Sequence, residues 1–205
     1  MSNRWALVVG ASRGLGLELA AELKSRGWNV VGTVRDDGGE RRLRKLADKP
    51  GGELRVERLD INDDGQIATL RRRLDGTVFD LVFVNAGIAP KSRGDAAGAS
   101  RDEAAAVFMT NAVAPIRVAR AFLDRVRNGP GIIAFMSSGL GSVANKTDSY
   151  SDLYSASKAA LTGRVAHSPD DVPAAALQFR REPQPQPARR PYHQRKPSFS
   201  HCKQT

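Results

Sequence analysis

A glycine-rich turn near the start of the chain constrains the fold more than any other feature. Residues 10–16 read Gly-Ala-Ser-Arg-Gly-Leu-Gly and follow the apolar run Trp5–Val9, which is typical of a buried parallel strand. Leu15, Leu19 and Leu23 then recur at helical spacing. A strand that enters a helix through a tight glycine turn is the first half of a βαβ unit, so the turn predicts a parallel sheet.

The same alternation continues along the chain. Strand-like runs follow at residues 28–34, 54–59, 79–84 and 132–136, and helical patterns at 38–48, 63–74, 100–126 and 151–165. Pro115 lies within the longest helical pattern and should kink it. Alternating strands and helices predict an α/β domain, a Rossmann-type doubly wound parallel sheet with right-handed crossovers. Ligands of such sheets bind at the carboxyl ends of the strands.

The pattern stops towards the C-terminus. Seven of the eleven prolines follow His167, and residues 181–197 show no apolar period. We therefore expect an α/β domain over residues 1–166 that is incomplete at its C-terminal side, with no sixth strand. We expect a disordered, basic, Pro-rich tail over residues 167–205. The abrupt change within one helix indicates a reading-frame change or a truncated gene, which the coding DNA would test. A genuine, evolved tail is the alternative.

Composition argues against several classes of partner. Half of the net charge of +10 arises from Arg164 onward, where there are eight Lys/Arg and three Asp/Glu. In the rest of the chain, basic and acidic residues are interspersed. We therefore expect no nucleic-acid partner. Cys202 is the one cysteine and all three histidines lie from His167 onward, which predicts no metal site. No apolar run approaches the roughly 20 residues of a membrane span. The start of the chain does not read as a signal peptide, so we expect a cytoplasmic protein without membrane contact.

The glycine turn predicts a site for a nucleotide. Its glycines permit a tight turn and let a pyrophosphate approach backbone N–H groups at the positive end of the helix. A plain structural turn is the alternative. The predicted cradle consists of Gly10, Ser12, Arg13, Gly14, Leu15 and Gly16.

Arg35 ends the second strand, where an NAD-preferring enzyme usually carries an acid for the ribose 2′-OH. Arg35 and Arg13 could instead bind a 2′-phosphate, because guanidinium binds phosphate in bidentate fashion. Two solvated surface arginines are the alternative, and Asp36 and Asp37 lie close by. The pattern favours NADP(H) over NAD(H).

Two further turns follow strands. Asp60, followed by Ile61, comes after the third strand and could accept a hydrogen bond from an adenine amine or act as a helix N-cap. Asn85, Ala86 and Gly87 close the fourth strand. Small residues there let a flat cofactor lie against the backbone, although a plain turn would look the same.

Tyr154 and Lys158 stand one helical turn apart on the same face. A phenol has a pKa near 10, and an adjacent cation lowers it. This spacing occurs by chance in many sequences, but Ser138 ends the fifth strand upstream and Asn111 lies in the preceding helix. Tyr150 is a poorer candidate, because a tyrosine and not a lysine follows it four residues later.

Together, the motifs over about residues 5–163 resemble the classical short-chain dehydrogenase/reductases. The long segment between Ser138 and Tyr154 resembles the branch of small carbonyl reductases that includes sniffer and the C-factor signalling protein. The resemblance implies that Tyr154 protonates the carbonyl oxygen of a small-molecule substrate, or acts in reverse on an alcohol. It also implies that Lys158 lowers the pKa of Tyr154 and holds the nicotinamide ribose, that Ser138 binds the carbonyl and that Asn111 holds a relay water. A homodimer or homotetramer is the implied assembly.

Three functions are compatible with these motifs. The first is an NADP(H)-dependent carbonyl reductase or alcohol dehydrogenase, and the second is an inactive nucleotide-binding remnant of such an enzyme. The third is a basic-tail interaction protein, which only the charge supports. The last part of the chain does not resemble the family, so we expect low stability and weak or no activity.

Overall fold

Six strands and six helices alternate along the part of the chain described by the computed structural model, residues 4–91, 96–142, 151–166 and 174–177. The strands are β1 Trp5–Val9, β2 Asn29–Val34, β3 Leu54–Arg58, β4 Leu81–Val84, β5 Ile132–Met136 and β6 Ala174–Leu177. The helices are α1 Gly14–Ser25, α2 Asp37–Arg44, α3 Asp64–Arg73, α4 Arg101–Phe108, α5 Ala114–Phe122 and α6 Asp152–Ala166.

All strands pair in parallel, in the order β3-β2-β1-β4-β5-β6. The chain winds outward from β1 to β3 and then crosses to β4 on the other side of β1. The carboxyl ends of β1 and β4 therefore form the switch point where such sheets bind ligands. The predicted Rossmann-type doubly wound sheet is confirmed.

Two hydrophobic clusters cover the two faces of the sheet. Leu7 and Val9 of β1 belong to one cluster, whereas Val8 belongs to the other. This division follows from the two-residue period of a strand, and it explains why β1 is apolar along its whole length. Phe79 and Phe122 meet edge to face in the first cluster, with ring centroids 6.1 Å apart.

The long helical pattern contains a π-helical segment that the sequence did not predict, whereas the kink expected at Pro115 stays a prediction. Met109–Val113 forms this segment between α4 and α5, and Pro115 lies in the first turn of α5. The whole stretch Arg101–Arg125 is long and apolar enough to span a membrane by length and composition alone. Val118 and Phe122 of this stretch are buried in the core, so its apolar composition is that of a core helix.

The prediction of no sixth strand is wrong. Ala174–Leu177 forms β6 and pairs in parallel with Ile133–Met136, so the sheet continues past residue 166. The predicted disorder of the tail is not tested and stays a prediction. The remaining residues of the predicted tail lie outside the described part of the chain. An alanine run carries neither β-branched residues nor alternation, the two signals from which strands are predicted.

Candidate active site

The glycine turn brings three segments of backbone so close together that side chains cannot fit. A Cβ on Gly10 would lie 2.8 Å from the amide nitrogen of Ala86. A Cβ on Gly16 would overlap the carbonyl oxygen of Gly10 and lie 2.7 Å from Nδ2 of Asn85. Gly10 and Gly14 also adopt positive φ angles of 89° and 54°. The turn therefore needs glycine for both space and conformation.

Polar groups of two neighbouring strands hold the turn. The Gly10 amide donates to Thr33 Oγ1 at 3.0 Å, and the Ala11 amide donates to the Thr33 carbonyl at 2.8 Å. On the other side, Asn85 Nδ2 donates to the Gly10 carbonyl at 2.9 Å. The role predicted for the small residues at the end of β4 thus includes a direct tie from Asn85 to the turn. Thr33 was missed, because a single threonine in a strand reads as an ordinary β-former.

A groove of about 300 Å³ opens at the switch point. Ten of the predicted cofactor residues line it: Gly10, Ser12, Arg13, Gly14, Arg35, Asp60, Ile61, Asn85, Ala86 and Gly87. The sequence did not predict six further lining residues: Thr33, Val34, Leu59, Asn62, Ile88 and Thr110. Leu15 and Gly16, which follow Gly14 in the first turn of α1, lie outside the lining. The predicted cradle and the ends of β2, β3 and β4 thus meet in one cavity.

Arg13 and Arg35 are exposed side chains at this groove. The two neighbouring acids are engaged with other partners. Asp36 Oδ1 caps α2 by accepting the Gly39 amide at 2.6 Å, and this bond holds the pKa of Asp36 below its usual value. Asp37 pairs with Arg58. Asp36 and Asp37, which weakened the preference for NADP(H) in the sequence, are therefore engaged by the Gly39 amide of α2 and by Arg58 of β3.

Asp60 does not cap a helix, so that alternative is wrong. The N-cap of α3 is Asp63, whose side chain accepts the Gln66 amide. Asp60 Oδ1 instead accepts the Asn62 amide at 2.9 Å and lines the groove. Asn62 Nδ2 also donates to Thr110 Oγ1 at 3.0 Å, which connects the groove to the π-helical segment.

Asn111 lies in that π-helical segment and is fully buried. Its Oδ1 accepts the Ile88 amide at 2.8 Å, and its Nδ2 donates to the Ile88 carbonyl at 2.9 Å and to Ser157 Oγ at 3.1 Å. The side chain thus ties the end of β4 to α6.

Ser138, Tyr154 and Lys158 converge beside this tie. The Tyr154 hydroxyl and the Ser138 side chain form a hydrogen bond. Lys158 Nζ lies 5.8 Å from the centroid of the Tyr154 ring and donates to the Met136 carbonyl at 2.8 Å. β5 and α6 therefore bring together the three groups that the spacing of the sequence only suggested.

Gly87 connects these groups to the groove. It lines the groove, and a Cβ at this position would lie 3.2 Å from Oδ1 of Asn111 and 3.5 Å from Nζ of Lys158. The lysine thus lies close to Gly87, although none of Ser138, Tyr154 and Lys158 is among the residues that line the groove.

Burial controls the titration of the two central groups. It raises the pKa of Tyr154, which the hydrogen bond with Ser138 partly offsets, and it lowers the pKa of Lys158 from 10.5 to about 8. The predicted lowering of the pKa of Tyr154 by Lys158 is therefore wrong for this arrangement, because desolvation of the phenolate dominates. A phenol that keeps its proton at neutral pH is suited to donate it.

The fold is a Rossmann-type doubly wound sheet, and Ser138, Tyr154 and Lys158 lie together where β5 ends and α6 begins. The family model described as short chain dehydrogenase matches residues 4–173, and the chain belongs to this family.

Individual relatives agree with this assignment. The chain is 33% identical over 170 residues to human 17-beta-hydroxysteroid dehydrogenase type 1, a match that covers 80% of the chain and 50% of that protein. A protein from Burkholderia multivorans crystallised with bound NADP is 42% identical, with a TM-score of 0.76 and coverage of 85% and 77%. A carbonyl reductase from Pseudomonas aeruginosa PAO1 in complex with NADP is 38% identical, with a TM-score of 0.77 and coverage of 85% and 80%. The chain spans about half the length of the curated relatives it matches.

Proposed function

We propose that the chain binds NADP(H) and transfers hydride between it and a small carbonyl or alcohol compound. The observation that carries the proposal is that Ser138, Tyr154 and Lys158 lie together and that Gly87, which lines the groove, lies close to Lys158. A phenol, an ammonium and a hydroxyl around one point can bind a carbonyl oxygen and exchange a proton with it.

The residues of the groove fit a phosphorylated dinucleotide. The glycine turn offers backbone N–H groups at the N-terminus of α1 for a pyrophosphate. Arg13 and Arg35 would hold a 2′-phosphate, and the commitment of Asp36 and Asp37 to other partners favours this choice over a ribose hydroxyl. The NADP-bound structures of the Burkholderia multivorans and Pseudomonas aeruginosa relatives support the same preference.

NADP(H), when bound, supplies or accepts the hydride. In the direction of reduction, Ser138 would donate a hydrogen bond to the substrate oxygen, and Tyr154 would deliver the proton. Lys158 would hold the nicotinamide ribose from behind Gly87. Asn111 would help to position α6, and with it Lys158, through its side-chain bonds to Ile88 and Ser157, and it would hold the water that returns a proton to the site.

We further propose that the protein is a carbonyl reductase of the small branch that includes sniffer. We propose that it forms a homodimer or homotetramer and acts in the cytoplasm. The carbonyl reductase among the structural relatives supports the substrate class.

The test combines binding with turnover. Full-length protein is titrated with NADPH and NADH by fluorescence, and NADPH oxidation is followed with simple aldehydes and ketones. We expect tighter binding of NADPH and measurable reduction. Tyr154→Phe should lower kcat by about 100-fold or more, on the scale of a lost general acid, and should leave NADPH affinity nearly unchanged. Tyr150→Phe makes the same change four residues upstream and should have little effect.

A second candidate is a nucleotide-binding remnant without turnover. The observation in its favour is that ten of the predicted cofactor residues line the groove, whereas none of Ser138, Tyr154 and Lys158 does. NADPH binding with no detectable reduction of a broad set of carbonyl compounds would favour the remnant. Absence of binding to both nicotinamide cofactors would refute both candidates.

A further inference from the structure

Helix α2 contacts the glycine turn at two points. Arg42 Nε donates to the Ser12 carbonyl at 2.8 Å, across 30 residues of sequence. One turn earlier in the helix, a Cβ on Gly39 would lie 2.6 Å from the Cβ of Ser12. The glycine lets the helix approach the turn, and the arginine fastens the two together. Ser12 immediately precedes Arg13, one of the two arginines at the groove.

Arg42 also acts on the charge beside the groove. Asp36 follows Arg35, and its carboxylate opposes the binding of any anion there. Its pKa is lowered first by the hydrogen bond from the Gly39 amide and then by the nearby charges of Arg42 and Arg35. Arg42 thus counters this carboxylate and leaves more of the charge of Arg35 available to a phosphate.

The two effects of Arg42 point to one ligand group. We infer that Arg42 is a positioning residue that determines specificity for the 2′-phosphate of NADP(H). It holds the Ser12 carbonyl, and hence the backbone that carries Arg13, which lines the same groove as Arg35, and it offsets the negative charge of Asp36. The inference rests on the proposed binding of NADP(H) and concerns the choice between cofactors. The conversion of substrate does not enter it.

Two nucleotide fragments isolate the 2′-phosphate. Titration calorimetry of the full chain with 2′,5′-ADP and with 5′-AMP measures affinities that differ only by this group. For Arg42→Gln we expect the Kd for 2′,5′-ADP to rise about tenfold, on the scale of one charge-assisted hydrogen bond. The Kd for 5′-AMP should stay within about twofold. Arg42→Lys keeps the charge and loses the planar guanidinium, so it should recover part of the selectivity.

Arg41→Gln is the matched control. It removes the same charge from the adjacent position of α2, where the arginine acts on Asp37 and has no bond to Ser12 among the described contacts. It should change selectivity by less than about twofold. An equal loss in Arg41→Gln and Arg42→Gln would overturn the inference, because it would show a general effect of charge. An equal loss for both fragments in Arg42→Gln would also overturn it, because it would show a merely structural role.

The proposed function fails separately. If the unaltered chain binds neither fragment, the nucleotide site itself is refuted, and the inference falls with it. If it binds both fragments equally, the preference for NADP(H) is refuted while nucleotide binding stands.

Discussion

Lys158 carries a stability cost that its proposed function requires. The side chain is 2% exposed, and burial lowers its pKa from 10.5 to about 8. Within the described part of the chain, its ammonium donates one hydrogen bond, to the Met136 carbonyl. Lys158→Met keeps most of the volume of the side chain and removes the charge, so it separates the cost of burying the ammonium from the cost of losing packing.

The magnitude follows from the pKa. A lowering from 10.5 to about 8 means that the folded state opposes protonation of this group by about 3 kcal/mol at pH 7. Removal of the charge recovers this amount, and leaving the Met136 carbonyl without its donor costs about 1–3 kcal/mol. We therefore expect Lys158→Met to be about as stable as the unaltered chain at pH 7, or up to about 2 kcal/mol more stable.

The pH dependence gives the sharper test. The unfolded chain binds the proton up to about pH 10.5, whereas the folded chain releases it near pH 8. Between these values the unfolded state holds more protons, so the stability contributed by this group rises with pH. By pH 10 the penalty falls to about 1 kcal/mol, and the difference between the two proteins should shift by about 2 kcal/mol in favour of the unaltered chain.

Urea unfolding at pH 7 and pH 10, followed by tryptophan fluorescence, measures this difference. Groups that titrate in both proteins cancel in the comparison. Lys45→Met removes an exposed lysine and reports the effect of losing a surface charge. A difference between Lys158→Met and the unaltered chain that stays constant within about 0.5 kcal/mol from pH 7 to pH 10 would refute the reasoning, because it would mean that the ammonium is solvated.

Three other outcomes can be measured. The kcat/KM for reduction should fall as pH rises through about 8, because Lys158 loses the charge that is proposed to hold the ribose; a flat profile from pH 7 to 10 would contradict this. Gly16→Ala would force its Cβ onto the Gly10 carbonyl, so NADPH affinity should fall by about tenfold or more, and unchanged binding in a titration would count against the cradle. Thr33→Val leaves the Gly10 amide without its acceptor and should lower the free energy of unfolding by about 1–2 kcal/mol, whereas Thr33→Ser should not; equal stability of the two variants would argue against this bond.

Most of the fold could be predicted from local sequence patterns. The glycine turn and the apolar strands were predictable because their signals lie within a few neighbouring residues. The partners of the charged groups were not. Asp36 and Asp37 lie next to Arg35 in the sequence, and their position there does not show that the Gly39 amide and Arg58 are their partners. Such choices depend on residues of other elements, which sequence spacing does not bring together.

The titration of Tyr154 could not be predicted for a related reason. Spacing places the phenol and Lys158 one turn apart and predicts that they lie side by side, as they do. It contains nothing about desolvation, which raises the pKa of the phenol and lowers that of the ammonium. The sign of each shift is set by the elements that cover α6, among them the segment Gly139–Gly141 after β5. Gly141 lies so close to α6 that a Cβ there would be 2.9 Å from the Cβ of Lys158.

The sixth strand bears on the expected instability of the chain. That expectation assumed that the apolar side chains of β5 and of α6 lack partners. β5 instead pairs on both sides, with β4 and with Ala174–Leu177. Strands are predicted from the pattern of their side chains. β6 has no such pattern, and it is identified as a strand by its backbone pairing with β5. The edge of β5 is therefore satisfied, and a stability close to that of other domains of this size would be consistent with the sheet as it stands.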